Sequence, residues 1–462
     1  MAPDQYARDA MNDPCRFDPG SVGAFRITRR SFDAGSRTLS LHYSFDGGPE
    51  FVETVRFESE PPVGAAAGSP GFDRALLHLP IAAGTSYFKV AAPRDVVVEG
   101  AGLTPSESDF HHHLYDDGLR EFAWSNRLEI PLPVSISSQE IATPTEPPIT
   151  DRPARTLVPI GGGKDSMVLI EAVKDQDPLL FAVNPHPLVL ELARQTGLDL
   201  LVVRRRLSPN LPELNGSGAL NGHVPITAIV SLIAVVGSFL YGYDTIAMAV
   251  ERSASEETVM VGETPVNHQY SKSASFERLL SDLITTTVDR RLRYGSALRP
   301  YSELAIARAF AKLTRYHATF CSCNTVFRQT AGRGDGWCGN CPKCRFVALV
   351  LAPFLEPDAL TDIIGRDLFA DAGQVEGFAA LMSEEDKPFE CVGERRESAA
   401  AMRLLSSLPA WREKVVVSAL AERARGLVTD ADVEALLTPV GTPDFAGGEL
   451  ARAVERQLAE GP

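Results

Sequence analysis

Leu157-Val158-Pro159-Ile160-Gly161-Gly162-Gly163-Lys164-Asp165-Ser166-Met167-Val168-Leu169-Ile170-Glu171-Ala172-Val173 decides the fold. An apolar run meets a tight glycine turn, and a second apolar run follows with helical spacing. The order predicts strand, turn, helix. Three glycines let a ligand approach the backbone without Cβ clashes. The first N–H groups of the helix then face that ligand, and the helix dipole favours an anion. Lys164 adds a mobile positive charge, and Asp165 and Ser166 are suited to cap the helix or hold Mg²⁺.

The loop is not a Walker A motif, because the glycine required five positions before Gly163 is Val158. Nor is it a dinucleotide fingerprint, because the third glycine position holds Ser166. It resembles the SGGxDS loop of the PP-loop ATP pyrophosphatases, with Gly161 in place of the usual serine. Those enzymes cleave ATP between its α- and β-phosphates and transfer AMP to an oxygen. The resemblance implies ATP and Mg²⁺ as cofactors. It assigns Gly161, Gly162, Gly163, Lys164 and Ser166 to the phosphates and Asp165 to magnesium.

Working outward, the pattern alternates strands and helices. Leu180–Val183 and Leu198–Val203 are expected as strands, Leu188–Gln195 as a helix, Val224–Tyr241 as a buried helix and Thr245–Val250 as a strand. Strands separated by helices predict an α/β fold with a doubly wound parallel sheet of PP-loop type, which binds ligands at its strand carboxyl ends. Asn184 ends the second strand, where it meets the adenosine half of a nucleotide or simply turns the chain before Pro185. Residues 1–145 read as a β-rich N-terminal domain. Leu39, Leu41, Tyr43 and Phe45 alternate with polar residues there, Asp46-Gly47-Gly48 turns the chain, and Phe110–Arg127 reads as helical. Residues 150–352 form the PP-loop domain. Residues 353–462 are a helical C-terminal region, with Ser398 expected as the N-cap of Ser398–Leu408.

The chain of 462 residues has a net charge of −15, which disfavours nonspecific binding to nucleic acid. Arg204-Arg205-Arg206 is expected as a solvated strand end and His111-His112-His113 as polar surface. Val224–Tyr241 carries Pro225 and several small polar residues, so no membrane segment is expected. Five of the seven cysteines cluster in Cys321-Ser322-Cys323 and Cys338-Gly339-Asn340-Cys341-Pro342-Lys343-Cys344. Such usage points to a reducing, cytoplasmic location and a metal site. Cys323, Cys338, Cys341 and Cys344 are the best set for a structural Zn²⁺. Spacing alone leaves open an exchange of Cys321 for Cys323, an iron–sulfur cluster, or free thiols.

Further stretches carry a narrower resemblance: Asn221–Ala228, Val266–Ser273, Pro300-Tyr301-Ser302-Glu303-Leu304 and Lys387–Gly393. With the glycine loop and the cysteines, the chain resembles the bacterial UDP-N-acetylmuramoyl-L-alanyl-L-glutamate epimerases of the MurL family. The resemblance implies a UDP-N-acetylmuramoyl dipeptide substrate whose terminal L-glutamate is adenylated, inverted and released as D-glutamate. Lys272 is then a candidate for phosphate or substrate carboxylate. His223, His268 and Cys391 are candidates for the proton-transferring groups, since histidine and thiol both titrate near working pH. Two alternatives remain at this stage. One is another PP-loop activator, such as a deazaguanine-type synthase or an RNA thiolase. The other is a regulator that binds ATP and zinc without turnover.

Overall fold

Alternation of apolar residues shapes the first strands, and Asp46-Gly47-Gly48 turns between two of them. In the computed structural model the described residues are 17–62, 66–327, 336–383, 390, 392–443, 445 and 447–459. The strands along the chain are β1 (Phe25–Asp33), β2 (Thr38–Phe45), β3 (Glu50–Phe57), β4 (Asp95–Leu103), β5 (Ser135–Glu140), β6 (Thr156–Pro159), β7 (Leu179–Val183), β8 (Leu200–Arg206), β9 (Thr245–Met248), β10 (Val259–Val261), β11 (Thr264–Val266) and β12 (Arg293–Ser296). Two compact units are interleaved in sequence. One comprises Met1–Thr150, Val203–Leu240 and Thr286–Asp289; the other comprises Asp151–Val202, Tyr241–Thr285 and Arg290–Pro462. The sequence pattern had three consecutive segments instead.

In the first unit, β1, β2 and β3 form an antiparallel meander, with Leu39, Leu41, Tyr43 and Phe45 of β2 all buried. The last residues of β8 pair antiparallel with β3, while β4 and β5 extend the other edge in parallel. This region is less purely β than its sequence suggests. Helix Pro70–Phe88 buries nearly every side chain, so no amphipathic stripe announces it. Its start was nevertheless marked, by Ser69 as N-cap and Pro70 in the first turn. Phe110–Arg127 divides into Pro105–Asp116, a 3₁₀ turn and Arg120–Ser125. The hydrophobic run after Val224 forms the buried helix Ile226–Tyr241. No described helix is long and apolar enough to cross a membrane.

Two surface expectations fail at one residue each, because strand and helix periodicity turns part of each run inward, while Arg206 and His112 are exposed. Arg205 is buried and forks onto Glu53 at 2.6 and 3.0 Å, also donating to Ser86 Oγ, while Arg204 faces Glu58. His111 is fully buried, with Nε2 3.0 Å from His78 Nδ1, and His78 meets Glu107.

In the second unit the strand order is β12-β9-β6-β7, with β8 beginning beyond β7. The β12–β9, β9–β6 and β6–β7 pairs are all parallel, as the α/β expectation required. From β6 the chain builds outward through β7 and β8, then returns to build the other side with β9 and β12. The carboxyl end of β6 is therefore the point where the winding reverses, the position at which sheets of this kind bind ligands. Helix Lys164–Val173 follows and buries Met167, Val168, Leu169, Ile170 and Val173. Each such side chain stabilises the packing by about 1.5–3 kcal/mol. The C-terminal helices belong to this unit and share its core. Among them, Arg395–Ser407 is capped by Glu394, so Ser398 lies inside the helix as a buried residue.

Candidate active site

The turn after β6 has the geometry its glycines require. Ile160 N–H donates to Phe181 O at 2.9 Å, which fixes the loop to β7. Gly162 has φ +88°, in the left-handed region. Gly162→Ala is expected to lower stability by about 1–2 kcal/mol, read as a shifted urea midpoint with unchanged slope. Gly163 is the N-cap of Lys164–Val173 and supplies no capping side chain. Neither Asp165 nor Ser166 caps the helix from outside, because both lie within its first turn. Ser166 Oγ donates back to Gly163 O at 3.1 Å. The leading N–H groups thus lack a side-chain cap and can accept an anion.

Lys164 is not a mobile surface charge. Only 2% of its side chain is exposed, and Nζ pairs with Asp165 and with Glu303. Burial works against its charge, but the two carboxylates outweigh that and hold it protonated. Glu303 opens helix Glu303–Phe310, whose N-cap Ser302 also donates through Oγ to Leu436 O at 2.6 Å. Burial pushes Glu303 up to about 7, with Lys164 opposing and Asp165 and Glu251 reinforcing the shift. Glu303 N–H donates to Glu397 Oε1 at 2.8 Å, and Glu394 N–H donates to Glu397 Oε2 at 2.9 Å. Glu397 is fully buried, and burial holds its carboxyl well above the usual range.

Asp165, Glu251 and Glu303 bring one oxygen each within 4.8 Å of one another. Such a set of hard oxygen donors fits a divalent cation. Asp165 is its accessible member, with 24% of its side chain exposed. The sequence pattern assigned no role to Glu251, Glu303 or Glu397. A strand-end position for Glu251, just past β9, was the available signal.

The cysteine set is equally compact. The sulfurs of Cys323, Cys338, Cys341 and Cys344 all lie within 4.8 Å of one another, with Cys338–Cys344 at 3.7 Å and Cys341–Cys344 at 3.4 Å. Four thiolates at about 2.3 Å from a tetrahedral zinc stand about 3.8 Å apart, so this donor set fits that ion. The hydrogen-bond contact with Cys344 brings Cys341 down to about 4. Cys321 is outside the set, and burial pushes its thiol up to about 11.

The other candidates come from separate segments of the chain. Asn184 is exposed at the end of β7 with φ +48°. Lys272 lies in a 3₁₀ turn, with Nζ 3.5 Å from Gln269 Oε1. Arg299 donates to Lys272 O and Glu251 O, both at 2.7 Å, and so ties that turn to the backbone of the carboxylate cluster. His223, in the first unit, stands 3.7 Å from Glu121. His268, in the second, donates its N–H to Thr258 Oγ1 at 3.3 Å. Cys391 and the stretch 387–389 lie outside the described residues.

Fold and site together define an α/β protein with an uncapped glycine turn at the reversal of its parallel sheet. Residues 16–297 match the MurL N-terminal domain and residues 319–435 the MurL C-terminal domain. Three relatives carry the name UDP-N-acetyl-alpha-D-muramoyl-L-alanyl-L-glutamate epimerase. The protein of Xanthomonas oryzae pv. oryzae is 42% identical, over 87% of this chain and 90% of its own. That of Salinispora tropica is 39% identical over 94% and 96%, and that of a Micromonospora strain 38% over 87% and 91%. No solved structure matches. The chain belongs to the MurL family.

Proposed function

We propose that this chain epimerises the terminal glutamate of UDP-N-acetylmuramoyl-L-alanyl-L-glutamate from L to D, driven by adenylation of that residue's carboxylate. The observation that carries the adenylation step is the uncapped glycine turn at the sheet reversal, with the charged, buried Lys164 beside it. The relatives' shared name supports the substrate and the inversion.

The α-proton beside a carboxylate is very weakly acidic. A carboxylate oxygen attacks the α-phosphorus of ATP, the bond to the bridging oxygen of the β-phosphate breaks, and pyrophosphate leaves. The acyl adenylate no longer carries the carboxylate charge, so loss of the Cα proton to a base gives a much more accessible enolate. A proton delivered to the opposite face inverts the centre. Water then cleaves the anhydride, releasing AMP and the D-epimer. Gly161, Gly162, Gly163 and Ser166 bind the phosphates in this scheme, and Lys164 stabilises their charge. Asn184 faces the adenosine, and Lys272 holds a phosphate or the substrate carboxylate. His223, His268 and Cys391 are the candidates for the two proton-transferring groups. Asp165, joined by Glu251 and Glu303, would hold Mg²⁺, which supplies charge neutralisation at the phosphates.

The test is to incubate the protein with ATP, Mg²⁺ and the muramoyl dipeptide, then measure AMP and the chirality of glutamate in the acid hydrolysate. AMP together with D-glutamate is expected, and Asp165→Asn should abolish both. AMP with retained L-glutamate would remove epimerisation, and absence of AMP would remove the adenylation step.

A further inference from the structure

Between Cys321 and the cluster residue Cys323 stands a serine with no part in the cluster. Cys321 N–H donates to Gly162 O at 3.1 Å, which stitches the cysteine loop to the glycine turn. The next residue, Ser322, reaches over the turn. A Cβ built on Gly163 would lie only 2.9 Å from Ser322 Oγ. The hydroxyl therefore occupies the side of Gly163 where a capping side chain would be. It does not act as the cap, since the helix has no side-chain cap bond from its N-cap and Ser322 Oγ has no hydrogen-bond partner among the described residues. A half-buried hydroxyl and a row of uncapped N–H groups thus share one space, and the neighbouring Gly161 has nothing within 4 Å of its Cβ position.

We infer, on the nucleotide reading proposed above, that Ser322 is a substrate-binding residue whose hydroxyl donates to a phosphate oxygen seated in the glycine turn. A hydroxyl rotates freely and donates well to a charged oxygen, which strengthens the bond relative to a neutral partner. Gly161 gives the turn no hydroxyl of its own, and Ser322 brings one to it from a distant segment. The cysteine loop is then one wall of the nucleotide site as well as a metal knuckle.

The experiment measures binding of α,β-methylene-ATP with Mg²⁺ to the full chain by calorimetry, alongside thermal unfolding and steady-state kinetics. Ser322→Ala should weaken binding roughly 10-fold and raise the KM for ATP, with kcat and the unfolding midpoint close to wild type. Ser322→Thr, which keeps the hydroxyl, should recover most of the affinity. Wild-type affinity in Ser322→Ala overturns the inference and leaves the nucleotide reading intact. So does a parallel fall in unfolding midpoint and affinity in both variants, which marks a packing role. A wild-type chain that binds no nucleotide overturns both.

Discussion

Lys164→Met is expected to abolish AMP formation and to destabilise the fold by about 3–5 kcal/mol, the usual consequence of leaving buried charge without its partner. Lys164 is paired with both Asp165 and Glu303, and Glu303 is as deeply buried as the lysine. Removing the ammonium leaves Asp165, Glu251 and Glu303 crowded together. Adding Glu303→Gln to Lys164→Met should recover part of the loss, because the double variant has one fewer uncompensated charge. The pH dependence has a definite sign. Glu303 titrates at about 7 in the fold against an ordinary value of 4.5. A carboxyl raised in this way contributes stability fully below the lower value and loses it as pH climbs through the upper one. Without Lys164 the folded value rises further, so the single variant should be weakest at pH 8 and recover towards pH 5. Urea unfolding at both pH values reads this directly. A single variant equally stable at both would remove the buried-pair account.

The second large effect concerns the cysteines. About one zinc per chain is expected by metal analysis, and Cys341→Ser or a strong chelator should remove it. The four sulfurs lie within 4.8 Å of one another, so a bound ion would tie their loops together. Structural zinc commonly supplies about 10–16 kcal/mol of apparent binding free energy to small folds. That is comparable to the roughly 5–15 kcal/mol net stability of a typical domain. A large fall in unfolding midpoint should follow. Because Cys321 is hydrogen-bonded to Gly162, loss of metal should also raise the KM for ATP. A Cys341→Ser variant that kept both zinc and midpoint would defeat the four-cysteine assignment.

Local features of the site were legible in the sequence, and convergent ones were not. The glycine turn is contiguous, and its strand and helix are signalled by adjacent apolar runs. Three of the four cysteines fall within seven residues, so spacing alone suggests a knuckle. Glu251, Glu303 and Glu397 come from three separate segments, and no local pattern says that they meet Lys164. Burial produced the other surprises. Helix Pro70–Phe88 is covered on all sides, so its apolar residues have no period to detect. Arg205 and His111 sit in polar runs, yet each points inward because its element turns alternate or every third to fourth residue to the core.

The hydroxyl of Ser302 grips the carbonyl of Leu436 while starting the helix that presents Glu303. Trimming the tail before residue 436 would therefore unfasten the mount of the buried lysine's partner. The far end of the polypeptide is thus mechanically in series with the turn after β6, and a tag or fusion joined there should be judged by its effect on turnover as well as on yield.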